Sequence, residues 1–359
     1  MITRENTRQV MVGNVPIGGG SPISVQSMTT ADTRDADAAI EQIQQLASAG
    51  CEIVRVAVPD QEAAASLRKI RKASSVPLVA DIHFNYRLAL ASIEAGVDKL
   101  RINPGNIGGA DRVRAVADAA AARGIPIRIG VNAGSLPADL VSKYGRTPRA
   151  MVEAALRHMS LLEREGFESI VLSLKASDVN RTVEAYRLMA RRSSYPLHVG
   201  VTEAGPSPGG LVKSAVGIGI ILSEGLGDTI RVSLTGDPRD EVMAGREILA
   251  SLALRRFGPT IVSCPTCGRC RTDLAGIVHE VKDRLFSLDV PLVIAIMGCE
   301  VNGPGEASEA DIGLACGNGV GLLFSGGRVV RKVRDEDMVG ALVEAAQEMA
   351  AGRHEKLDG

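Results

Sequence analysis

Cys264-Pro265-Thr266-Cys267, and beyond one helical stretch Gly298-Cys299-Glu300-Val301-Asn302-Gly303-Pro304-Gly305-Glu306, concentrate thiols in loops broken by glycine and proline. Two cysteines spaced C-x-x-C can grip one metal centre. A third from a distant loop makes a set of soft ligands of the kind that selects zinc or an iron–sulfur cluster. The fourth ligand has two candidates. Cys270 extends the register to C-x-x-C-x-x-C and would close the centre with sulfur, suiting electron storage. Glu306 offers a harder, more easily displaced oxygen and would leave an iron able to open for chemistry. A disulfide is the competing use of these thiols. The chain opens on Met1, Thr3, Arg4, Glu5 and Asn6 without the apolar run of a signal peptide, so a cytoplasmic protein is expected, where disulfides rarely persist.

A second constellation lies in short β-branched runs carrying Arg55, Arg101, Arg128, Lys175 and Arg231. Alternate strand residues face opposite sides. Asp81 then shares a face with His83, Arg101 with Asn103, Arg128 with Asn132, Ser173 with Lys175, and Arg231 with Ser233. Ile82, Leu100, Ile102, Ile129, Val131, Leu174, Val232 and Leu234 take the other face. One or two such arginines would be structural ion pairs. Five cations in one low-dielectric cup, with Asp81 and Glu203 as the main acids, call for a polyanion, and bidentate guanidinium contacts favour a diphosphate-bearing substrate. The segment Lys213-Ser214-Ala215-Val216-Gly217-Ile218-Gly219, read as opening a helix, would add backbone N–H donors near a phosphate. Glu203, in Val201-Thr202-Glu203-Ala204-Gly205, can position a hydroxyl, shuttle a proton, or serve as counter-ion to the cations. Cys51 and Cys316, inside apolar stretches, read as core residues.

The elements that must position these groups follow from hydrophobic patterning. Strand-like runs at 22–28, 53–58, 78–83, 99–104, 127–132, 169–175, 197–203 and 229–235 alternate with Ala- and Leu-rich helical stretches such as 36–49, 61–72, 112–123 and 149–165. Eight such units predict an α/β fold, a (β/α)8 TIM barrel over residues 1–258, with catalytic groups at the C-terminal ends of its strands. Residues 259–359 change pattern: a strand from 260, a helix over 273–288, a strand over 291–297, short strands around Leu314 and Leu322, and an acidic helix from Glu336. This predicts a separate small α+β domain built around the metal site, zinc or iron–sulfur, that the cysteines would form. A 45% hydrophobic content fills a core, and a net charge of −1 supplies no field for nucleic acid. With no Trp and five Phe, stacking platforms for single strands are not expected. No apolar run reaches the ~20 residues of a membrane span.

Val25-Gln26-Ser27-Met28-Thr29, Val54-Arg55-Val56-Ala57-Val58-Pro59, Ala80-Asp81-Ile82-His83-Phe84, Arg101-Ile102-Asn103-Pro104-Gly105-Asn106 and Arg128-Ile129-Gly130-Val131-Asn132, with the two cysteine motifs, closely resemble the bacterial 4-hydroxy-3-methylbut-2-enyl diphosphate synthase family. The likeness covers essentially the whole chain. It implies an iron–sulfur oxidoreductase of the non-mevalonate isoprenoid route. Such an enzyme reductively opens 2-C-methyl-D-erythritol 2,4-cyclodiphosphate and expels a hydroxyl, using a [4Fe-4S] cluster and electrons from flavodoxin or ferredoxin. It further implies cluster ligands Cys264, Cys267, Cys299 and Glu306. The implied clamp is Arg55, Arg101, Arg128, Lys175 and Ser233, with Asn103, Asn132 and Arg231 nearby and Asp81 among the substrate-facing groups. Glu203 is the implied proton-handling residue. Cys270 departs from the pattern, which does not require it.

Chain direction adds an expectation about assembly. The helix over 240–254 must run back down the barrel wall, so the cluster domain begins at the far end of its own barrel. A head-to-tail homodimer, each cluster domain covering the partner's barrel, is therefore expected, as the resemblance also implies. The alternative function is a dihydropteroate-synthase-like diphosphate-binding barrel with a structural metal module.

Overall fold

The computed structural model describes residues 1–285, 288–299 and 309–357, with side chains described as far as Arg353. The chain divides into two compact units, Met1–Arg255 and Arg256–Gly359.

In the first unit a hairpin of β1 (Val10–Val12) and β2 (Val15–Ile17) precedes eight strands: β3 (Ser24–Met28), β4 (Ile53–Ala57), β5 (Leu78–Asp81), β6 (Lys99–Ile102), β7 (Ile127–Asn132), β8 (Ile170–Lys175), β9 (His198–Val199) and β10 (Thr229–Ile230). They pair in parallel in the order β8-β7-β6-β5-β4-β3-β10-β9. A parallel bridge between Leu172 and Leu197 joins the two ends, making the TIM barrel that the eight alternating units predicted. Helices return between the strands because their apolar residues recur at helical spacing. Ala36–Ser48 buries Ala39, Ile43 and Leu46, and Gln61–Ala73 buries Ala63, Ala64, Leu67 and Ile70. Asp35, Asp60, Asp178 and Asp237 each accept a backbone N–H at a helix start, fixing where the chain turns from loop to helix.

Three features depart from the sequence-based expectation. The last two strands are much shorter than 197–203 and 229–235. At Gly200 a β-carbon would lie 2.4 Å from the Arg231 carbonyl oxygen and 2.7 Å from Lys175 Nζ, so the backbone there makes room for a lumen cation and leaves the ladder. The helix after β9 spans Gly209–Ser223, which puts Lys213–Gly219 inside it rather than at its start. Interior amides are spent on the helix's own carbonyls, so that segment has no free N–H row for a phosphate. The hairpin was not foreseen, although Gly13-Asn14 between two β-branched runs is a hairpin signal. Its Val10, Val12 and Ile17 pack on Ile53, Val79 and Val171, and each such burial stabilises by roughly 1.5–3 kcal/mol. Val79 lies below Asp81 and Val171 below Ser173 on their strands, so the hairpin seals the N-terminal end of the barrel.

The second unit holds a five-stranded sheet, β11 (Thr260–Ser263), β12 (Val293–Met297), β13 (Ile312–Cys316), β14 (Val320–Ser325) and β15 (Arg328–Arg334). The first three are parallel and the last three antiparallel. Helices Leu274–Arg284 and Met338–Leu357 cover it, with Leu274, Val281, Ile294, Ile296, Leu314 and Leu342 in the shared core. Strand β15 was missed because Arg328, Arg331, Lys332 and Arg334 hide its pattern; only Val333 is buried. Among the described residues no helix is long and apolar enough to cross a membrane.

Candidate active site

The lumen collects charge from nearly every strand. Arg55 on β4, Asp81 on β5, Arg101 on β6, Arg128 on β7 and Lys175 on β8 all take the inward parity, and their strands are held in register by Arg55 opposite Val79, Arg101 opposite Arg128, and Asn132 opposite Lys175. Arg101, Arg128 and Lys175 are buried, at 6%, 2% and 7% exposure, and Arg55 is half-buried. Asp81 is the anion among them. Arg101 Nη1 donates to its Oδ1 at 3.1 Å, and Arg55 Nε stands 3.6 Å from Oδ2. Burial alone would raise this carboxyl, but the charges of Arg55, Arg101 and Arg128 outweigh it and hold Asp81 below its usual value. Arg55 also points Nε and Nη2 at Met28 Sδ, 3.1 and 3.0 Å away.

Arg231 is committed to a carboxylate. Its Nε and Nη2 donate to Glu241 at 3.2–3.3 Å, and Glu241 also accepts from Ser27 Oγ at 3.1 Å and from the Leu234 amide at 2.9 Å. Glu241 comes from the helix Pro238–Ser251, where a strand-parity search has no reason to look. It, and not Glu203, is the second acid beside the lumen cations. Glu203 is exposed beyond the end of β9, with its backbone at φ 53°. A left-handed conformation at a residue with a β-carbon costs about 1–2 kcal/mol, and such strain is kept where the surroundings require that side-chain direction.

Asn103 accepts the Gly130 amide on Oδ1 at 2.9 Å, tying the ends of β6 and β7 together. Asn132 and Ser233 are half-buried beside the same mouth. His83 is exposed and lies within 3.2–3.3 Å of Arg101 Nη1. His198 is buried with Nε2 3.2 Å from Lys175 Nζ. Burial, then the charges of Arg128 and its neighbours, drives Lys175 well below the ordinary lysine value, and burial with Lys175 does the same to His198. Lys99, one layer below Arg101 on β6, takes the same inward face, although it is not among the expected site residues.

In the second unit the adjacent parallel ends of β11 and β12 bring Cys264 and Gly298-Cys299 to one edge of the sheet. The Gly298 amide donates to Cys264 Sγ at 3.2 Å, and the Arg271 amide donates to the Gly298 carbonyl at 3.1 Å. A β-carbon at Gly298 would lie 2.6 Å from Cys270 Sγ, so only glycine lets this loop close on the first cysteine loop. Cys270 donates to the Thr272 carbonyl at 3.3 Å. Cys267 is exposed, Cys299 is buried, and none of the six cysteines is in a disulfide. Burial pushes the thiols of Cys51 and Cys316 up to about 12, as suits core residues. Among the described residues no three metal-binding groups converge. Glu306 lies outside the described residues. The donor chemistry fits an iron–sulfur cluster: thiols from two loops meet at one sheet edge, and a backbone N–H already points at one sulfur.

Fold and site together define a (β/α)8 barrel with a cationic lumen, joined to an α+β unit bearing a cysteine centre. Residues 7–246 match the GcpE TIM-barrel domain and residues 260–348 the GcpE protein C-terminal domain. The chain belongs to the GcpE family. It is 57% identical over 352 residues to a Geobacter sulfurreducens protein named 4-hydroxy-3-methylbut-2-en-1-yl diphosphate synthase (flavodoxin), covering 98% of this chain and 100% of that one. A Bacillus cereus protein of the same name is 53% identical over 363 residues, covering 100% and 98%. Among solved structures, dihydropteroate synthase from Stenotrophomonas maltophilia aligns at 15% identity and TM-score 0.49, over 69% of this chain and 100% of that one, a likeness too slight to carry an argument. The family match and the full-length relatives named as diphosphate synthases do not favour the dihydropteroate-synthase-like alternative.

Proposed function

We propose that this chain is a cytoplasmic oxidoreductase that converts 2-C-methyl-D-erythritol 2,4-cyclodiphosphate to 4-hydroxy-3-methylbut-2-enyl diphosphate in isoprenoid biosynthesis. The reaction takes two electrons, breaks the ring C–O bond to phosphate and releases a hydroxyl as water. The observation that carries this reading is the lumen, where Arg55, Arg101, Arg128 and Lys175 gather and the one strand-borne carboxylate, Asp81, is held by Arg101 and Arg55. Such a cup favours a ligand with several negative charges, and its guanidinium groups suit the paired oxygens of a diphosphate. Membership of the GcpE family and the names of its relatives support the same diphosphate product and a flavodoxin donor.

In this reading the barrel over 1–258 binds substrate. Arg55, Arg101, Arg128, Lys175 and Ser233 hold the diphosphate, while Asn103, Asn132, Arg231 and Asp81 orient the clamp and the carbon skeleton. Glu203, exposed and strained at the mouth, holds or delivers a proton at the departing hydroxyl. The domain over 259–359 would hold a [4Fe-4S] cluster through Cys264, Cys267, Cys299 and Glu306. When bound, that cluster supplies low-potential electrons received from reduced flavodoxin or ferredoxin. Cys270 supports the site by filling the space beside Gly298. The working unit is a head-to-tail homodimer in which a cluster domain serves the partner's barrel. Anaerobic assay of purified protein with the cyclodiphosphate and a low-potential reductant tests the activity; a brown, cluster-bearing protein that leaves the cyclodiphosphate unchanged would refute it.

A further inference from the structure

Lys99 has no accessible surface, and its Nζ has no hydrogen-bond partner among the described residues. It lies two residues before Arg101 on β6, hence on the same inward face one layer lower, opposite Val79. That lower layer is closed by the apolar residues of the β1–β2 hairpin, which bring no charge to it. The groups around it are therefore those of the lumen. Arg55, Asp81, Arg101, Arg128, Lys175 and His198 come from β4 to β9, His83 follows β5, Arg231 follows β10, and Glu241 comes from the helix behind β10. Strand β3 contributes Gln26, bonded to Thr229 Oγ1, and no charge.

Both carboxylates in this group are taken. Asp81 serves Arg101 and Arg55, and Glu241 serves Arg231. Guanidinium groups keep their protons in proteins, so a lumen overloaded with positive charge can shed it only at a lysine or histidine. Lys175 and His198 hold each other at 3.2 Å. Among the described residues Lys99 has neither a counter-ion nor an acceptor, and an ammonium buried in that way is the costliest of the set. Burial, then the charges of Arg128 and Arg55, lowers its proton affinity well below that of an ordinary lysine.

We propose that Lys99 matches the charge of the barrel to its substrate: it is an uncharged amine in the substrate-free lumen and takes up one proton from solvent when the anionic substrate binds. A diphosphate seated among Arg55, Arg101 and Arg128 reverses the local field, so the cost of charging Lys99 falls when that charge becomes useful. Lys99 needs no contact with the ligand for this. The inference rests on the diphosphate reading of the lumen.

Isothermal titration calorimetry of the full-length, cluster-bearing protein tests it, with the cyclodiphosphate added anaerobically and without reductant in HEPES, PIPES and Tris, whose ionisation heats differ. Wild-type protein should take up about one proton per substrate bound, with affinity falling as pH rises, by up to ~tenfold per pH unit. Lys99→Met should still bind but with proton uptake near zero and a flatter pH profile. Lys99→Arg, which stays charged, should also lose the uptake, and it serves if the methionine variant does not fold. Binding without proton uptake in the wild type would overturn the proposal. So would undiminished uptake in both variants, which would assign the proton to Lys175 and His198. Failure of the wild type to bind the cyclodiphosphate would instead refute the substrate reading.

Discussion

The guanidinium of Arg101 donates to the Asp81 carboxylate across 3.1 Å, an ion pair with both side chains at 7% exposure. Asp81 also stands 3.6 Å from Arg55, and Glu241 holds Arg231, so Arg128 and Lys175 are the lumen cations with no carboxylate at ion-pair distance among the described residues. Removing the carboxylate strands a buried charge, so Asp81→Asn should lower unfolding stability by roughly 1–3 kcal/mol at neutral pH. Because the folded-state carboxyl is held below its usual value, its contribution is complete above the unfolded value and is lost as pH falls through the folded one. Urea unfolding should show the wild type and the variant converging in acid. A difference that persists there would mean the effect is packing, not charge.

Arg101→Ala and Arg128→Ala should each weaken binding of the cyclodiphosphate by roughly 1.5–3 kcal/mol, the worth of a charge-assisted hydrogen bond. The visible absorption of the cluster should stay as in the wild type. Unaltered affinity in both variants would make these arginines structural.

Asp228 gives a pH signature of opposite sign. It accepts from Thr7 Oγ1 and the Leu197 amide, each at 2.7 Å, yet burial raises its carboxyl to about 6. The folded state therefore keeps this proton where the unfolded chain has released it, and stability should fall as pH rises from about 4 to about 6, by roughly 2–3 kcal/mol. Asp228→Asn should flatten that slope. Thermal unfolding across the window measures it.

Cys270→Ser should keep a cluster, whereas Cys264→Ser, Cys267→Ser and Cys299→Ser should each lose it on anaerobic purification. Glu306→Ala should retain three thiolates and a labile cluster while activity collapses. Iron content and absorption read the result. A stable, fully active Glu306→Ala enzyme would transfer the fourth ligand to Cys270.

If the proposed head-to-tail dimer forms, mixing inactive Glu203→Ala protein with inactive Cys299→Ser protein under exchange conditions should restore part of the activity, since a mixed dimer would then hold one intact barrel facing one intact cluster domain. Mixed dimers that form and stay inactive would exclude that arrangement.

Period-2 alternation around Arg55, Arg101, Arg128 and Lys175 and helical spacing such as Ala39, Ile43, Leu46 are local properties of the chain. The barrel, its polar inward face and the cysteine loops were therefore legible in the sequence alone, because backbone geometry converts spacing directly into facing. What parity cannot supply is partnership across the fold. Glu241 reaches Arg231 from a helix, Lys99 is stranded beneath the clamp, and Val12 and Ile17 close the barrel floor from a hairpin that comes before it. Gly200 is a glycine because the Arg231 carbonyl crowds the space where its β-carbon would be, and Gly298 because Cys270 fills the space beside it. Each of these depends on where distant chain segments meet and on how much room and charge they leave one another, and only the tertiary structure decides that.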